Sequence, residues 1–218
     1  GGGLARLKVA ALISGRGSNL QALIDAAGDP AYPAEIVLVL SNVGDAYGLQ
    51  RAKAAGIPTA VVDHRGKARG DFESEIDVAL RKAGVELICL AGFMRLLTAG
   101  FTERWRDRVI NIHPSLLPAF KGLHVHEQVL AAGVRFTGCT VHFVRPETDA
   151  GPIIAQAAVP VVPGDSVESL AARVLESEHR LYPLALRLVA EGRAKVEGDL
   201  VKLEKVTAAA ESLLNPAG

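Results

Sequence analysis

Short runs of apolar, β-forming residues alternate with segments of helical periodicity along the first half of the chain. The runs predict strands over Leu7–Ile13, Ile36–Leu40, Ala60–Val62, Leu87–Ala91 and Val109–Ile112. The segments between them predict helices from Leu20 onward, over Tyr47–Ala55, and from a cap at Asp71 to Ala83. Strands that are apolar on both faces and alternate with helices are typical of a parallel sheet covered on both sides. We therefore predict an α/β fold with a mostly parallel, twisted sheet.

The second half of the chain has a different pattern. Thr137–Val144 and Ile153–Val161 are predicted strands joined by a short acidic loop, so we expect an antiparallel element at the sheet edge. A long helix is predicted from Ser166 to Ala190, and its apolar face is formed by Leu170, Val174, Leu181, Leu184 and Leu188. Val196–Val201, around Gly198 and Asp199, predicts a small hairpin.

Composition excludes several classes of partner. The 24 basic and 24 acidic residues cancel, so no bulk charge favours nucleic acid. No apolar run approaches membrane-spanning length and no signal-peptide pattern is found, so we expect a cytoplasmic protein without a membrane partner. Cys89 and Cys139 lie in apolar runs and are expected to be buried thiols. Gly1–Gly3 are expected to be a cloning remnant and carry no part of the fold prediction.

A glycine-rich turn follows the first predicted strand. It comprises Gly15, Arg16, Gly17, Ser18 and Asn19. Glycines let the backbone approach an anion, and free amides at a helix start attract a phosphate. The turn lacks the Gly-Lys-Ser/Thr of a Walker loop and the third glycine of the dinucleotide fingerprint. Phosphate binding and a tight turn capped by Ser18 or Asn19 are both open from these residues alone.

Asn111 and His113 form the most informative pair. They lie two residues apart at the end of a predicted parallel strand, so both project from one face, at the sheet edge where ligands bind. Asn supplies an amide donor for a developing oxyanion, and His carries a proton near neutral pH. The alternative is a structural His beside a turn.

Other polar residues support weaker hypotheses. Asp149, in the acidic loop, could be a turn-former, or it could reach the same edge and favour the charged form of His113. His142 is interpreted as structural or as support for the site. His124 and His126 have a spacing that suggests metal ligands, but no Cys or carboxylate cluster completes a zinc set, so no metal is predicted.

Several motifs together resemble the glycinamide ribonucleotide formyltransferases, within the wider formyltransferase and formyl-folate hydrolase group. They are Ile13–Gln21, Leu90–Leu97, Asn111–Pro118, Thr140–Val144 and Asp149–Pro152. The likeness runs from about Lys8 to about Tyr182, and Ala150 stands where the family pattern has glycine. It implies a Rossmann-like sheet with helices on both faces. It also implies one formyltransferase domain over 4–218, with a nucleotide and phosphate half (4–108), a catalytic and folate half (109–192) and a variable tail (193–218).

The resemblance also implies the role of each matched residue. The catalytic trio is Asn111, His113 and Asp149. The ribonucleotide phosphate and ribose are expected at Gly17, Ser18, Asn19 and Glu178. The folate is expected at Arg69, Met94, Arg95, Leu96, Leu97, Asn111, Arg145 and Asp149. From residues alone, Met94–Leu97 would be an apolar stretch with one solvated Arg, and Glu178 an exposed helix charge.

The implied reaction transfers the formyl group of 10-formyltetrahydrofolate directly to the amine of glycinamide ribonucleotide, without a metal or a covalent enzyme intermediate. Asn111 and protonated His113 would stabilise the oxyanion, and Asp149 would keep His113 charged and oriented. A homodimer is expected from precedent in such enzymes.

Three alternatives remain. A formyltetrahydrofolate hydrolase would carry a leading regulatory domain, which we do not expect, and a second His where Pro114 stands. A methionyl-tRNA formyltransferase would need a further carboxyl-terminal domain and a basic surface. A nucleotide-sensing module would leave Asn111, His113 and Asp149 unexplained.

Overall fold

The structure is a computed structural model that describes residues 5–218, so Gly1–Gly3 lie outside the described residues. It contains one seven-stranded sheet in the order β3-β2-β1-β4-β5-β6-β7. The strands are β1 (Leu7–Ile13), β2 (Ala34–Ser41), β3 (Thr59–Val61), β4 (Leu87–Leu90), β5 (Val109–His113), β6 (Phe136–Phe143) and β7 (Ile153–Pro160). β1 to β5 pair in parallel, and β6 and β7 are antiparallel. The predicted α/β class and antiparallel element are confirmed.

The helices are α1 (Ser18–Ala27), α2 (Tyr47–Ala54), α3 (Arg69–Lys82), α4 (Ala99–Arg104), α5 (Val125–Ala132) and α6 (Val167–Ala190). The predicted cap at Asp71 is wrong, because α3 already begins at Arg69 and Asp71 lies in its first turn. The hairpin around Gly198 is confirmed as β8 (Ala194–Glu197) paired with β9 (Leu200–Leu203). Among residues 5–218, no helix combines the length and apolarity needed to cross a membrane.

The chain divides into two compact units. The first contains the residues up to Asn111 together with Phe143–Pro146. Its core lies between the sheet and helices α3 and α4, where apolar side chains are removed from water: Leu12, Leu40, Ile76, Leu80, Ile88, Phe101 and Trp105. Trp105 is 1% exposed, and its indole N–H donates to Asp77 at 2.6 Å, so the polar edge of this buried ring is satisfied.

The second unit contains Ile112–His142 and Glu147–Gly218. Its long helix α6 begins with a capping box, in which the side chains of Ser166 and Ser169 each accept a hydrogen bond from the other's backbone N–H. The helix packs its apolar face against β7 and α5. The prediction that Leu184 belongs to that face is wrong, because Leu184 is 50% exposed. Ala185 is buried instead, in step with Leu181 and Leu188.

Candidate active site

The glycine-rich turn forms the wall of a cavity in the first unit. The cavity has a volume of about 300 Å³ and is lined by Ser14–Asn19 with Ala91, Gly92 and Met94. Gly17 is the N-cap of α1 at φ +72°, and no side chain caps the helix there. The alternative that Ser18 or Asn19 caps the helix is therefore wrong. Gly17 has no side chain with which to cap the amide groups at the start of α1, and the start of a helix attracts anions.

The turn is also packed too closely for a larger residue. A Cβ added at Gly17 would lie 2.9 Å from the Cα of Gly48, and the Gly48 N–H donates to the Gly15 carbonyl at 3.0 Å. Gly17 thus meets two demands that favour glycine, a left-handed backbone and a close backbone neighbour.

The segment Met94–Leu97 lies beside this cavity, and its side chains alternate between exposed and partly buried. Met94 is 74% exposed and Leu96 is 66% exposed. Leu97 packs against the core of the first unit, and Arg95 is half-buried rather than fully solvated. Met94 and Leu96 thus place two apolar side chains in water beside the cavity, where they offer a surface for a flat ligand.

The two other arginines predicted at the folate differ in their surroundings. Arg69 is the first residue of α3 and is exposed. Arg145 has only 9% of its side chain exposed, and its guanidinium donates to Asp107 at 2.7 Å and to the Val144 carbonyl at 3.2 Å. Its charge is therefore already compensated by Asp107, whereas Arg69 remains available to an anionic ligand.

His113 ends β5, two residues after Asn111 on the same face of the strand. It is 6% exposed. Its Nδ1 lies 3.4 Å from Asp149 Oδ1, and its Nε2 lies 2.8 Å from the Phe120 carbonyl oxygen. Both ring nitrogens face acceptors, and only the imidazolium carries a proton on each nitrogen. When the ring carries both protons, each of its two N–H groups therefore has an acceptor within reach.

Asp149, like His113, has little of its side chain exposed and has a contact on each side of its polar group. It adopts a left-handed backbone at φ +53°, its side chain is 11% exposed, and its Oδ2 accepts a hydrogen bond from the Gly122 N–H at 2.8 Å. Of the two alternatives for Asp149, the structure has the one in which the acidic loop reaches His113, and its catalytic role stays a prediction. A left-handed non-glycine residue beside a candidate catalytic group is typical of functional sites.

His126 is a further histidine close to this pair. It lies on α5 and is partly buried, and burial lowers its pKa. The negative charge of Glu127 opposes that shift, and the positive charge of His113 adds to it, which shows that the two histidines are near each other. The sequence suggested His126 only as a metal ligand. Within residues 5–218, no group of three or more His, Cys, Asp or Glu is arranged to hold a metal ion.

Glu178 is not the exposed charge that its residue type and helix suggest. It lies on the inner face of α6 and is 8% exposed. Its negative charge and, more strongly, burial raise the pKa of the Cys139 thiol to about 12. Cys139 and Cys89 are both buried, as predicted, and they form no disulfide among residues 5–218. His142 is buried on β6, in keeping with a structural or supporting position.

The chain matches the family model described as "Formyl transferase" over residues 7–186. The chain belongs to this family. A relative from Haemophilus influenzae named phosphoribosylglycinamide formyltransferase is 44% identical over 198 residues, which cover 90% of this chain and 93% of the relative. The solved structure of glycinamide ribonucleotide transformylase 1 from Symbiobacterium toebii matches this chain with a TM-score of 0.88 and 47% identity. The match covers 91% of this chain and 94% of the Symbiobacterium toebii chain.

Other relatives of this formyl transferase are much longer. The trifunctional purine biosynthetic protein adenosine-3 of Gallus gallus is 56% identical over 192 residues, which cover 88% of this chain but only 19% of that protein. The chain therefore spans about a fifth of the length of the first curated relatives it matches.

Proposed function

We propose that this chain transfers the formyl group of 10-formyltetrahydrofolate to the amine of glycinamide ribonucleotide in purine biosynthesis. The observation that carries the proposal is the buried pair of His113 and Asp149, with Nδ1 and Oδ1 3.4 Å apart. Such a pair supplies a proton and a positive charge in a site from which water is largely excluded, which formyl transfer requires. The bacterial relatives that match most of the chain are named phosphoribosylglycinamide formyltransferase, which supports formyl transfer to this ribonucleotide.

The ribonucleotide phosphate binds at Gly17, Ser18 and Asn19, which line the cavity at the start of α1, where the helix dipole attracts an anion. Glu178, a buried carboxylate on α6, accepts hydrogen bonds from the ribose hydroxyls. The folate binds along Met94–Leu97, where the exposed side chains of Met94 and Leu96 contact the pterin ring. The exposed Arg69 contacts the acidic tail of the folate. Asn111, Asp149 and Arg145 complete the folate contacts.

The reaction proceeds by direct attack. The amine nitrogen forms a bond to the formyl carbon, and the carbonyl oxygen becomes an oxyanion that accepts hydrogen bonds from Asn111 and from imidazolium His113. Breakdown cleaves the bond between that carbon and the folate nitrogen. The nitrogen leaves with a proton that comes from His113 or through water, and the amine loses a proton to restore the balance. Asp149 keeps the ring charged and oriented throughout.

One contact has to change during this cycle. Nδ1 of His113 is directed at Asp149, so Nε2 is the nitrogen left for the substrate. That nitrogen now lies 2.8 Å from the Phe120 carbonyl, and the substrate must replace this acceptor. Phe120 has a left-handed backbone at φ +51°, a conformation that is unfavourable for a bulky residue and therefore easier to leave.

The experiment is an assay of 10-formyltetrahydrofolate consumption with the purified protein. It has three arms: no acceptor, glycinamide ribonucleotide, and methionyl tRNA. The proposal requires rapid consumption only with the ribonucleotide. Consumption without any acceptor would identify a hydrolase, consumption only with methionyl tRNA a tRNA formyltransferase, and none in any arm a nucleotide-binding module. Location in the cytoplasm and assembly as a homodimer remain predictions, which fractionation and sedimentation analysis can test.

A further inference from the structure

Ser14 links the cavity turn to the segment that follows β4. Its backbone N–H donates to the Gly92 carbonyl at 3.1 Å, and its Oγ accepts a hydrogen bond from the Met94 N–H at 2.8 Å. Ser14, Gly92 and Met94 all line the cavity of the first unit. The start of the phosphate turn and the start of the proposed folate segment are therefore joined by two hydrogen bonds that meet at one residue.

Asn42 fixes the direction of the Ser14 hydroxyl. The hydroxyl donates its single proton to Asn42 Oδ1 at 2.5 Å, so its lone pairs are left for the Met94 N–H. Asn42 follows β2 and is only 3% exposed. Its Nδ2 lies 3.1 Å from Nδ1 of His64, which holds the amide in the orientation that presents its oxygen to Ser14. A hydrogen-bond chain thus runs from Met94 through Ser14 and Asn42 to His64.

We infer that Ser14 and Asn42 are positioning residues that couple the binding of the two substrates. The inference rests on the proposed function, which assigns the ribonucleotide phosphate to the turn and the folate to Met94–Leu97. A ligand that orders the turn fixes Ser14, and Ser14 in turn fixes the backbone of Met94 for the other ligand. A coupling of this kind is reciprocal, so each substrate must raise the affinity for the other by the same factor.

The coupling is measured by calorimetry with two ligands that do not react together, glycinamide ribonucleotide and tetrahydrofolate. Each dissociation constant is determined alone and with the other ligand saturating. We expect each ligand to tighten the other by at least about fivefold in the wild type, the lower end of typical allosteric coupling. In Ser14→Ala, the factor by which each ligand tightens the binding of the other should fall towards one, while both ligands still bind. Ser14→Thr keeps the hydroxyl and should restore it.

Ser41→Ala is the matched control. Ser41 is the buried neighbour of Asn42, but its hydroxyl bonds only the backbone of Val43, donating to the carbonyl at 2.7 Å and accepting from the N–H at 3.0 Å. This variant should lose stability and keep the coupling factor. If Ser14→Ala does not fold, Asn42→Ala removes the acceptor of the Ser14 hydroxyl and is expected to lower the factor in its place.

Two results would overturn the inference and leave the proposed function standing: both ligands bind the wild type without affecting each other, or folded Ser14→Ala and Asn42→Ala keep the full factor. If the wild type bound neither ligand, the proposed function itself would fail, and the inference with it.

Discussion

Asp149 fixes His113 and the loop beside it at the same time. One carboxylate oxygen lies 3.4 Å from His113 Nδ1, and the other accepts a hydrogen bond from the Gly122 N–H at 2.8 Å. A carboxylate that orients an imidazole determines which ring nitrogen is left for the substrate and stabilises positive charge on the ring. In this site the remaining nitrogen is Nε2, so the proposed formyl transfer depends on the pair of Asp149 and His113.

Asp149→Asn should therefore impair turnover far more than binding. The amide has nearly the same shape and can still accept the Gly122 N–H, but it no longer compensates a charged ring. We expect kcat to fall by about 10²–10⁴-fold with little change in either KM. Glu147→Gln, which removes a charge from the exposed part of the same loop, should leave kcat nearly unchanged. Steady-state kinetics on both folded variants decide the matter, and near-normal turnover in Asp149→Asn would reduce Asp149 to a turn residue.

Asn19→Asp should act on the ribonucleotide alone. Asn19 lines the cavity at the start of α1, and a carboxylate there repels the phosphate that the start of the helix would attract. We expect the ribonucleotide KM to rise by roughly tenfold or more while the folate KM is unchanged. Gln21→Glu makes the same charge change on α1, outside the cavity lining, and should have a much smaller effect. Equal weakening of both substrates would place the phosphate elsewhere.

Leu96→Ala tests the folate segment without disturbing the core. Leu97 is the poorer choice because it packs against the buried cluster of the first unit, so a polar substitution there would also reduce stability. Leu96 is 66% exposed and should be covered only when the folate binds. Its truncation should weaken folate binding roughly tenfold by calorimetry, since apolar contact area is lost. Leu200→Ala, at a leucine that is 73% exposed on β9, is the control and should have no effect.

Thr140→Val tests how the segment after His113 is held. The buried hydroxyl of Thr140 donates to the Ser115 carbonyl at 2.7 Å and accepts from the N–H of Leu117 at 3.1 Å and from Gln156 Nε2 at 3.0 Å. Valine has the same shape and leaves these groups unpaired, so we expect the free energy of unfolding to fall by about 2–4 kcal/mol.

Thr137→Val is the matched control on the same strand. The Thr137 hydroxyl is buried and has no hydrogen-bond partner among residues 5–218, so its replacement should be neutral or stabilising in urea unfolding. Equal losses in the two variants would mean that the Thr140 bonds contribute little.

The sequence predicted the long, strongly patterned elements well. β1 and β2 each contain a continuous apolar run, and α6 repeats its apolar residues every three to four positions, so both signals are visible without any tertiary information. α4 and α5 were not predicted. They have only 6 and 8 residues. The N-cap of α5 is His124, which has a left-handed backbone and no side-chain capping bond, so the sequence gives little sign of where this helix starts.

The site was predictable where residue type alone carries chemistry, as at Asn111 and His113. Burial was not predictable, because a charge on a helix gives no sign of whether its face is covered. Glu178 was therefore wrongly interpreted as exposed from its own residue type, and only the resemblance marked it. Ser14 and Asn42 were missed as a pair, because their 2.5 Å contact joins residues 28 positions apart in the chain.

A labelled formyl group shows directly whether this chain transfers the group from the folate to the ribonucleotide. The protein is incubated with 10-formyltetrahydrofolate labelled in the formyl carbon and with glycinamide ribonucleotide, and the products are separated. We expect one label in formylglycinamide ribonucleotide for each tetrahydrofolate released, and a rate of label transfer about 10²–10⁴-fold lower in Asp149→Asn. Label recovered as formate, at a rate that does not depend on the ribonucleotide, would contradict it.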